Sequence, residues 1–350
     1  MMRSHRTAGQ VPRSRRRLVG VALAMSLTVA SAGCTAPTPP DSGTSTRPGA
    51  SPRPVEPDDA TLTTFAYGPR PAQAADLILP AALAGAFEER RTPSDVAPAP
   101  PPDGGGQVVD VVVLVHGGGW DASYDRFSET AVARDLTDDG VVVWNLDYRG
   151  VGAPDPADDG GWPGTFEDVA AGLDLLPEAL GSVGLTPGRV AVVGHSAGGT
   201  LALWLAARHT LPDGAPGASP VVRPDLVVTQ AGVNDLVAAG AASGNRGAVE
   251  ALMGGTTSEV SDDRYDLASP TARLPLGVPT LVLTGDLDAV VLPSVATDYA
   301  AAAQAAGDDA TLAVVPGDDH LSPQNPRSAS WATVRGWLAD RGISPSAPAT

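Results

Sequence analysis

The sequence has few of the residues that form disulfides and metal clusters. It contains one cysteine and five histidines in 350 residues. A single cysteine excludes an intramolecular disulfide and any zinc site built on several thiolates. Five histidines leave little room for a histidine-rich cluster, so we expect no metal site.

Basic charge is also scarce. No lysine occurs, so all 23 basic residues are arginines, against 40 acidic residues, and the formal net charge is −17. Binding of nucleic acid requires a basic surface that displaces phosphate counterions. This balance argues against nucleic acid as a partner. The hydrophobic share of 43 % is still sufficient for a substantial core.

The N-terminal segment has the layout of an export signal. Six arginines and no acid lie within residues 3–17, and a largely apolar run of 13 residues, 18–30, follows. Such a run is too short to span a bilayer, which needs about 20 residues. The only cysteine, Cys34, comes directly after Ala-Gly. We predict a signal peptide over residues 1–33.

The end of this segment resembles a bacterial lipobox, although Ser31 stands where an aliphatic residue is usual. The resemblance implies lipidation of Cys34, export, and anchoring to the outer face of the bacterial cell membrane. The alternative is an ordinary secreted protein with a free cysteine. Residues 35–60 contain hardly any apolar side chain and are predicted to be a disordered tether. We expect the domain at residues 61–341 and a disordered tail at 342–350.

Buried strands alternate with helical stretches through the predicted domain. Runs of β-branched and aliphatic residues, such as 108–115, in which Asp110 is the one polar residue, predict strands buried on both faces, as in a parallel sheet. The other strands are predicted at 61–67, 75–79, 141–146, 189–194, 225–230, 280–284 and 311–315. Helices are predicted at 126–138, 166–180 (with Thr165 as N-cap), 197–208, 293–306 and 328–338. This alternation predicts an α/β fold with a mostly parallel, doubly wound sheet flanked by helices.

A nucleophile turn follows one of these strands. The sequence Gly194-His195-Ser196-Ala197-Gly198 fits the pattern G-x-S-x-G and lies between an apolar strand and an Ala-rich helix, which is the context that the pattern requires. The start of a helix behind the serine stabilises developing negative charge. Ser196 is therefore the candidate nucleophile.

A glycine-rich loop follows the most apolar strand. Its sequence is Val115-His116-Gly117-Gly118-Gly119-Trp120. Consecutive glycines allow a tight turn that directs backbone N–H groups towards a tetrahedral intermediate. The loop lacks the Lys-Ser/Thr pair of a phosphate-binding P-loop and the G-x-G-x-x-G pattern of a dinucleotide site.

The H-G-G-G-W loop, the later Asp147-Tyr148-Arg149 and the G-H-S-A-G-G turn together resemble the α/β-hydrolase superfamily. The similarity is greatest to its H-G-G-x esterases, which include hormone-sensitive-lipase-like, BD-FAE feruloyl-esterase-like and kynurenine-formamidase-like proteins. The resemblance implies the α/β-hydrolase fold with a small cap-like insertion at residues 232–277. It also implies that the N–H groups of Gly118, Gly119 and Ala197 form the oxyanion hole, and that Asp147-Tyr148-Arg149 braces a loop.

A serine nucleophile needs a histidine base and an acid to orient it. His5 lies in the predicted signal peptide, His116 and His195 belong to the two motifs, and His209 ends a predicted helix, which leaves His320 after the last strand. In this fold the acid lies between the serine and the histidine in the chain. The resemblance of residues 285–288 to the family's G-x-x-D turn assigns that role to Asp288, with Asp286 as the alternative.

The sequence does not decide which apolar residues line the site. Trp120 and Trp162 either wall the substrate pocket or simply pack. Leu252, Met253 and Tyr265 could line an acyl pocket, but ordinary packing is favoured for them.

These features predict a serine hydrolase that cleaves carboxylic esters through an acyl-enzyme, with a small-molecule ester as substrate and no cofactor. Amide hydrolysis on the same triad, of the arylformamidase or peptidase type, is the first alternative. The others are a non-catalytic binding protein at the cell surface and an acyltransferase that prefers an alcohol to water.

Overall fold

The structure is a computed structural model that describes residues 61–83, 106–241, 244–260, 262–343 and 345. The predicted signal peptide, Cys34, the tether and all but three residues of the predicted tail lie outside the described residues, so these assignments stay predictions. Within the described ranges, no helix is both long and apolar enough to cross a membrane. The same ranges hold no group of three or more acidic, His or Cys side chains suited to a metal ion.

The described chain forms one sheet of eight strands. In the order β1-β2-β4-β3-β5-β6-β7-β8, the first two pairings are antiparallel and the other five are parallel. The predicted mostly parallel sheet is thus confirmed. The strands are β1 Thr61–Ala66, β2 Ala74–Leu79, β3 Gln107–Val115, β4 Val142–Leu146, β5 Leu185–His195, β6 Leu226–Gln230, β7 Thr280–Gly285 and β8 Ala310–Val315.

Helices cover both faces of this sheet. They are α1 Thr130–Asp138, α2 Gly164–Asp174, α3 Leu176–Ser182, α4 Ala197–Ala207, α5 Leu236–Ala241, α6 Arg246–Met253, α7 Asp262–Ala268, α8 Pro293–Ala306 and α9 Ala329–Asp340. Short 3-10 turns lie at Arg126–Glu129, Arg208–Thr210, Pro270–Arg273 and Ser322–Gln324. Helices α5, α6 and α7 lie between β6 and β7, within the predicted cap-like insertion.

Side chains of β3 alternate between two cores because successive strand residues point to opposite faces. Val111 and Val113 belong to the core that α2, α3, α4 and α8 cover. Val112 and Leu114 belong to the core on the other face, which α1 and α9 cover. This two-sided burial explains why residues 111–115 of the strand are all apolar.

The predicted helix at 166–180 is wrong in two details. It is interrupted at Leu175, because Pro177 has no N–H to continue the helix and lies in the first turn of α3 instead. Thr165 is not the N-cap. Its hydroxyl donates to the carbonyl of Arg149 at 2.6 Å and accepts the N–H of Gly161 at 2.9 Å, which joins α2 to the loop after β4.

Candidate active site

The candidate nucleophile lies in a strained turn between β5 and α4. Ser196 has φ 52° and ψ −119°, a conformation that non-glycine residues adopt only where the surroundings impose it. Its N–H donates to the carbonyl of Gln230 at 2.8 Å, which ties the turn to the end of β6. A Cβ on Gly194 would overlap the backbone of Gly198, and one on Gly198 would overlap the carbonyl of Val115. Both glycines are therefore required for the turn to close.

Three predicted site residues form a chain of hydrogen bonds. Ser196 Oγ lies 3.0 Å from His320 Nε2, and His320 Nδ1 lies 2.8 Å from Asp288 Oδ2. The three residues follow β5, β8 and β7, and the carboxyl ends of parallel strands meet at one edge of the sheet. A carboxylate can only accept, so Nδ1 carries the proton, and the lone pair of Nε2 faces the serine hydroxyl.

The environment of Asp288 keeps it ionised. Burial pushes its pKa upward, but hydrogen bonds from His320 and from the N–H groups of Val291 and Val290 outweigh this and hold the pKa below its usual value. Both N–H groups donate to Oδ1 at 2.9 Å. The alternative acid, Asp286, accepts the N–H of Gly317 at 2.7 Å instead. The structure thus brings Asp288, and not Asp286, to the histidine.

His195 has a role that the sequence did not reveal. Its Nε2 lies 2.7 Å from the carbonyl oxygen of His320 and must donate to it, and the two rings lie 5.0 Å apart. Burial, followed by the nearby His320, lowers the pKa of His195 to about 4, so the ring is neutral at physiological pH. His195 therefore holds the backbone of the candidate base in place. It is a positioning residue rather than a second base.

The predicted oxyanion residues line the same cavity as Ser196. Gly118 and Gly119 have φ of 101° and 63°, and a Cβ on Gly118 would overlap the ring of Tyr124. Among the hydrogen bonds of the described residues, none uses the N–H groups of Gly118, Gly119 or Ala197. Ala197 begins α4, so its N–H also lies at the positive end of the helix dipole.

A buried polar network supports the glycine loop. His116 Nδ1 lies 2.8 Å from the carbonyl oxygen of Gly117, and its Nε2 lies 3.1 Å from Asp147 Oδ1. The imidazole stacks on the ring of Tyr148 at 4.1 Å with an interplanar angle of 3°. Arg126 donates to the second oxygen of Asp147 at 2.9 Å. Asp147 and Tyr148 thus brace the loop, as the resemblance implied.

The cavity at the serine has a volume of about 280 Å³. Its lining residues are Gly118, Gly119, Trp120, Tyr124, His195, Ser196, Ala197, Val233, Asn245, Ala248, Val290, Val291, His320, Leu321 and Gln324.

Of the two tryptophans, Trp120 lines this cavity, whereas the ring of Trp162 packs edge-on against Phe166 at 5.0 Å. The three cap residues considered for an acyl pocket belong to the core instead. Leu252 and Met253 are fully buried, and Tyr265 is 3 % exposed. The favoured interpretation, ordinary packing, is confirmed for these three.

Comparisons with known proteins agree with this architecture. The chain is 37 % identical to rat neutral cholesterol ester hydrolase 1 over 107 residues, which are 28 % of this chain and 24 % of that protein. It is 33 % identical to Esterase LipI of Mycobacterium tuberculosis over 118 residues, 33 % and 35 % of the two chains. The matched segment thus spans only about a quarter to a third of these curated relatives.

A solved structure and a family model extend the comparison. Esterase B from Lactobacillus rhamnosis has the same fold, with a TM-score of 0.62 at 20 % identity over 81 % of this chain and 85 % of that one. The model of the BD-FAE family matches residues 100–302, more than half of the sequence. The chain therefore belongs to the BD-FAE family.

Proposed function

We propose that this protein is a serine hydrolase that cleaves carboxylic esters through an acyl-enzyme on Ser196. The observation that carries the proposal is the continuous hydrogen-bond chain from Ser196 through His320 to Asp288, at the wall of a cavity that also holds three unused backbone N–H groups. The names of the curated relatives, a cholesterol ester hydrolase and an esterase, support the choice of substrate class.

In the first half-reaction, the Oγ of Ser196 bonds to the ester carbonyl carbon and its proton moves to Nε2 of His320. Asp288 stabilises the imidazolium that forms. The N–H groups of Gly118, Gly119 and Ala197 accommodate the negative oxygen, and one such donor contributes about 3–4 kcal/mol. The bond from carbon to the alcohol oxygen then breaks, and His320 gives its proton to the leaving alcohol.

In the second half-reaction, water attacks the acyl carbon and His320 takes a proton from it. The bond to Oγ breaks, and the proton returns to Ser196. The products are one carboxylic acid and one alcohol for each ester and water consumed.

Intact-mass analysis after exposure to a fluorophosphonate tests the proposal, with wild type compared with Ser196→Ala. We expect one adduct on wild type, none on the variant, and loss of p-nitrophenyl acetate hydrolysis by several orders of magnitude in the variant. A folded wild-type protein that forms no adduct and turns over no ester would refute the proposal and favour a non-catalytic binding protein. Turnover of amides or acyl transfer to added alcohols, in preference to ester hydrolysis, would contradict the assigned reaction.

A further inference from the structure

The two sides of the cavity come from different parts of the chain. Val233, Asn245 and Ala248 belong to the segment between β6 and β7 that carries the cap-like helices. A Cβ on Gly119 would meet only the Cβ of Ala248, at 4.0 Å. The cap-side wall therefore approaches the oxyanion loop closely at Gly119, and Ala248 limits the space there.

The opposite wall flanks the candidate base and acid. Leu321 follows His320 directly and is 63 % exposed, and Val290 lies two residues after Asp288 and is 55 % exposed. Large apolar side chains exposed to this degree beside a cavity offer contact area to a bound molecule. The base-side wall is thus apolar and open to solvent.

The amide of Gln324, on the base-side wall, has a partner within the protein. Gln324 donates from Nε2 to Oε1 of Glu129 at 2.8 Å, and Glu129 is buried. This hydrogen bond takes up one of the two amide N–H donors of Gln324. It also anchors the segment that follows His320 to the 3-10 turn before α1.

The chemistry of acyl transfer distinguishes the two walls. The leaving alcohol must receive its proton from Nε2 of His320, so it lies on the side of that residue. The carbonyl oxygen is fixed by the oxyanion N–H groups, which leaves the acyl chain on the other side. Ala248 therefore faces the acyl chain, and Leu321 faces the alcohol.

The lining also limits the charge and the size of the substrate. None of the described lining residues is Arg, Asp or Glu, and the sequence contains no lysine. An ionised substrate would lose hydration there without gaining a counter-ion. The volume of about 280 Å³ lies close to the lower limit of the range of about 300–1,000 Å³ that is typical of sites for drug-sized ligands.

We propose that the substrates are uncharged esters with a short acyl chain, whose length Ala248 limits where the cap-side wall approaches the oxyanion loop, and an apolar alcohol that lies on Val290 and Leu321. This inference rests on the proposed ester hydrolysis and assigns the two halves of the substrate to the two walls. Ala248 sets the acyl length, and Leu321 contributes to alcohol preference.

Two substrate series and three variants test the assignment. The acyl series runs from p-nitrophenyl acetate to hexanoate. The alcohol series consists of ethyl, butyl and hexyl acetates, whose leaving groups have similar basicity. The variants are Ala248→Leu, Leu321→Ser and the matched control Leu62→Ser, which replaces another exposed leucine, on β1 and outside the cavity.

Ala248→Leu is expected to lower the ratio of kcat/KM for hexanoate over acetate by about tenfold or more, with the alcohol series unchanged. Leu321→Ser is expected to lower the ratio for hexyl over ethyl acetate by about threefold to tenfold, with the acyl series unchanged. Leu62→Ser should change neither ratio.

A crossed result, or unchanged ratios in both cavity variants, would overturn the subsite assignment. Equal rates on anionic hemisuccinate esters and neutral esters would overturn the uncharged substrate class. Both failures differ from failure of the proposed function, because in these cases wild type still reacts with the fluorophosphonate.

Discussion

Replacing Asp288 by asparagine tests the hydrogen-bond chain sharply, because the two oxygens of this carboxylate have different partners. Oδ1 accepts the N–H groups of Val290 and Val291, and Oδ2 accepts Nδ1–H of His320. An amide NH2 group cannot accept from N–H donors, so the asparagine oxygen stays with the two valines. The NH2 group then faces His320 and confines its proton to Nε2.

With its proton on Nε2, His320 presents an N–H instead of a lone pair to Ser196, and the serine proton has no acceptor. The expected loss in kcat is about 10⁴-fold, the size found when a triad histidine is held in the wrong tautomer. This corresponds to about 5.4 kcal/mol of activation free energy. Asp288→Ala imposes no tautomer, so it is expected to retain more activity than Asp288→Asn.

The assay measures turnover of p-nitrophenyl acetate at about pH 7.5. Thermal unfolding shows that each variant is folded. Asp286→Asn is the matched control, since the asparagine oxygen can still accept the N–H of Gly317. Activity of Asp288→Asn within tenfold of wild type would refute the reasoning. An equal loss in Asp286→Asn would refute it as well.

Two further predictions concern stability. Asp174→Asn is expected to lower the free energy of unfolding by about 3–5 kcal/mol, because it leaves the guanidinium of Arg208, 2 % exposed, without its paired charge. Arg208→Met should cost less, since Asp174 is 20 % exposed and keeps the N–H groups of Val221 and Val222. Urea unfolding compares the two, and equal losses would contradict the prediction. The second prediction concerns the loss of stability at acidic pH. Because burial lowers the pKa of His195 from 6.5 to about 4, the unfolded state binds more protons between these values. Stability is therefore lost as pH falls from about 6.5 to 4, by up to about 3 kcal/mol. Urea unfolding across this window should show a flatter pH dependence in His195→Gln, and parallel curves would argue against the assignment.

Local motifs allowed much of this site to be predicted from the sequence. The turn around Ser196 and the loop around Gly118 are each encoded within a few adjacent residues, and each needs glycines where neighbouring backbone passes closely. Asp288 and His320 lie far along the chain, and their assignment depended on elimination and on a family pattern. The structure brings both to Ser196.

Tertiary contacts account for what the sequence did not show. The bond from His195 to the carbonyl of His320 joins residues 125 positions apart, and no local pattern encodes such a partner. In the cap-like segment, Ala248 lines the cavity and packs against the core, and Leu252, one turn further along the same short helix, is fully buried in that core. Composition gives their polarity but not the direction in which the helix packs.

The position of β8 places the candidate base next to the edge of the sheet. Among the strands of the described residues, β8 pairs only with β7, and the loop that carries His320 begins where this edge strand ends. Segments at an edge open at lower free energy than a core strand such as β5, which has neighbours on both sides. Local fraying there would withdraw the proton acceptor while the nucleophile turn and both cores stay folded. Under the proposed mechanism, ester turnover is therefore a more sensitive measure of structural integrity than the folded fraction of the protein, and the hydrogen bond from His195 to the carbonyl of His320 stabilises the segment that is expected to open first.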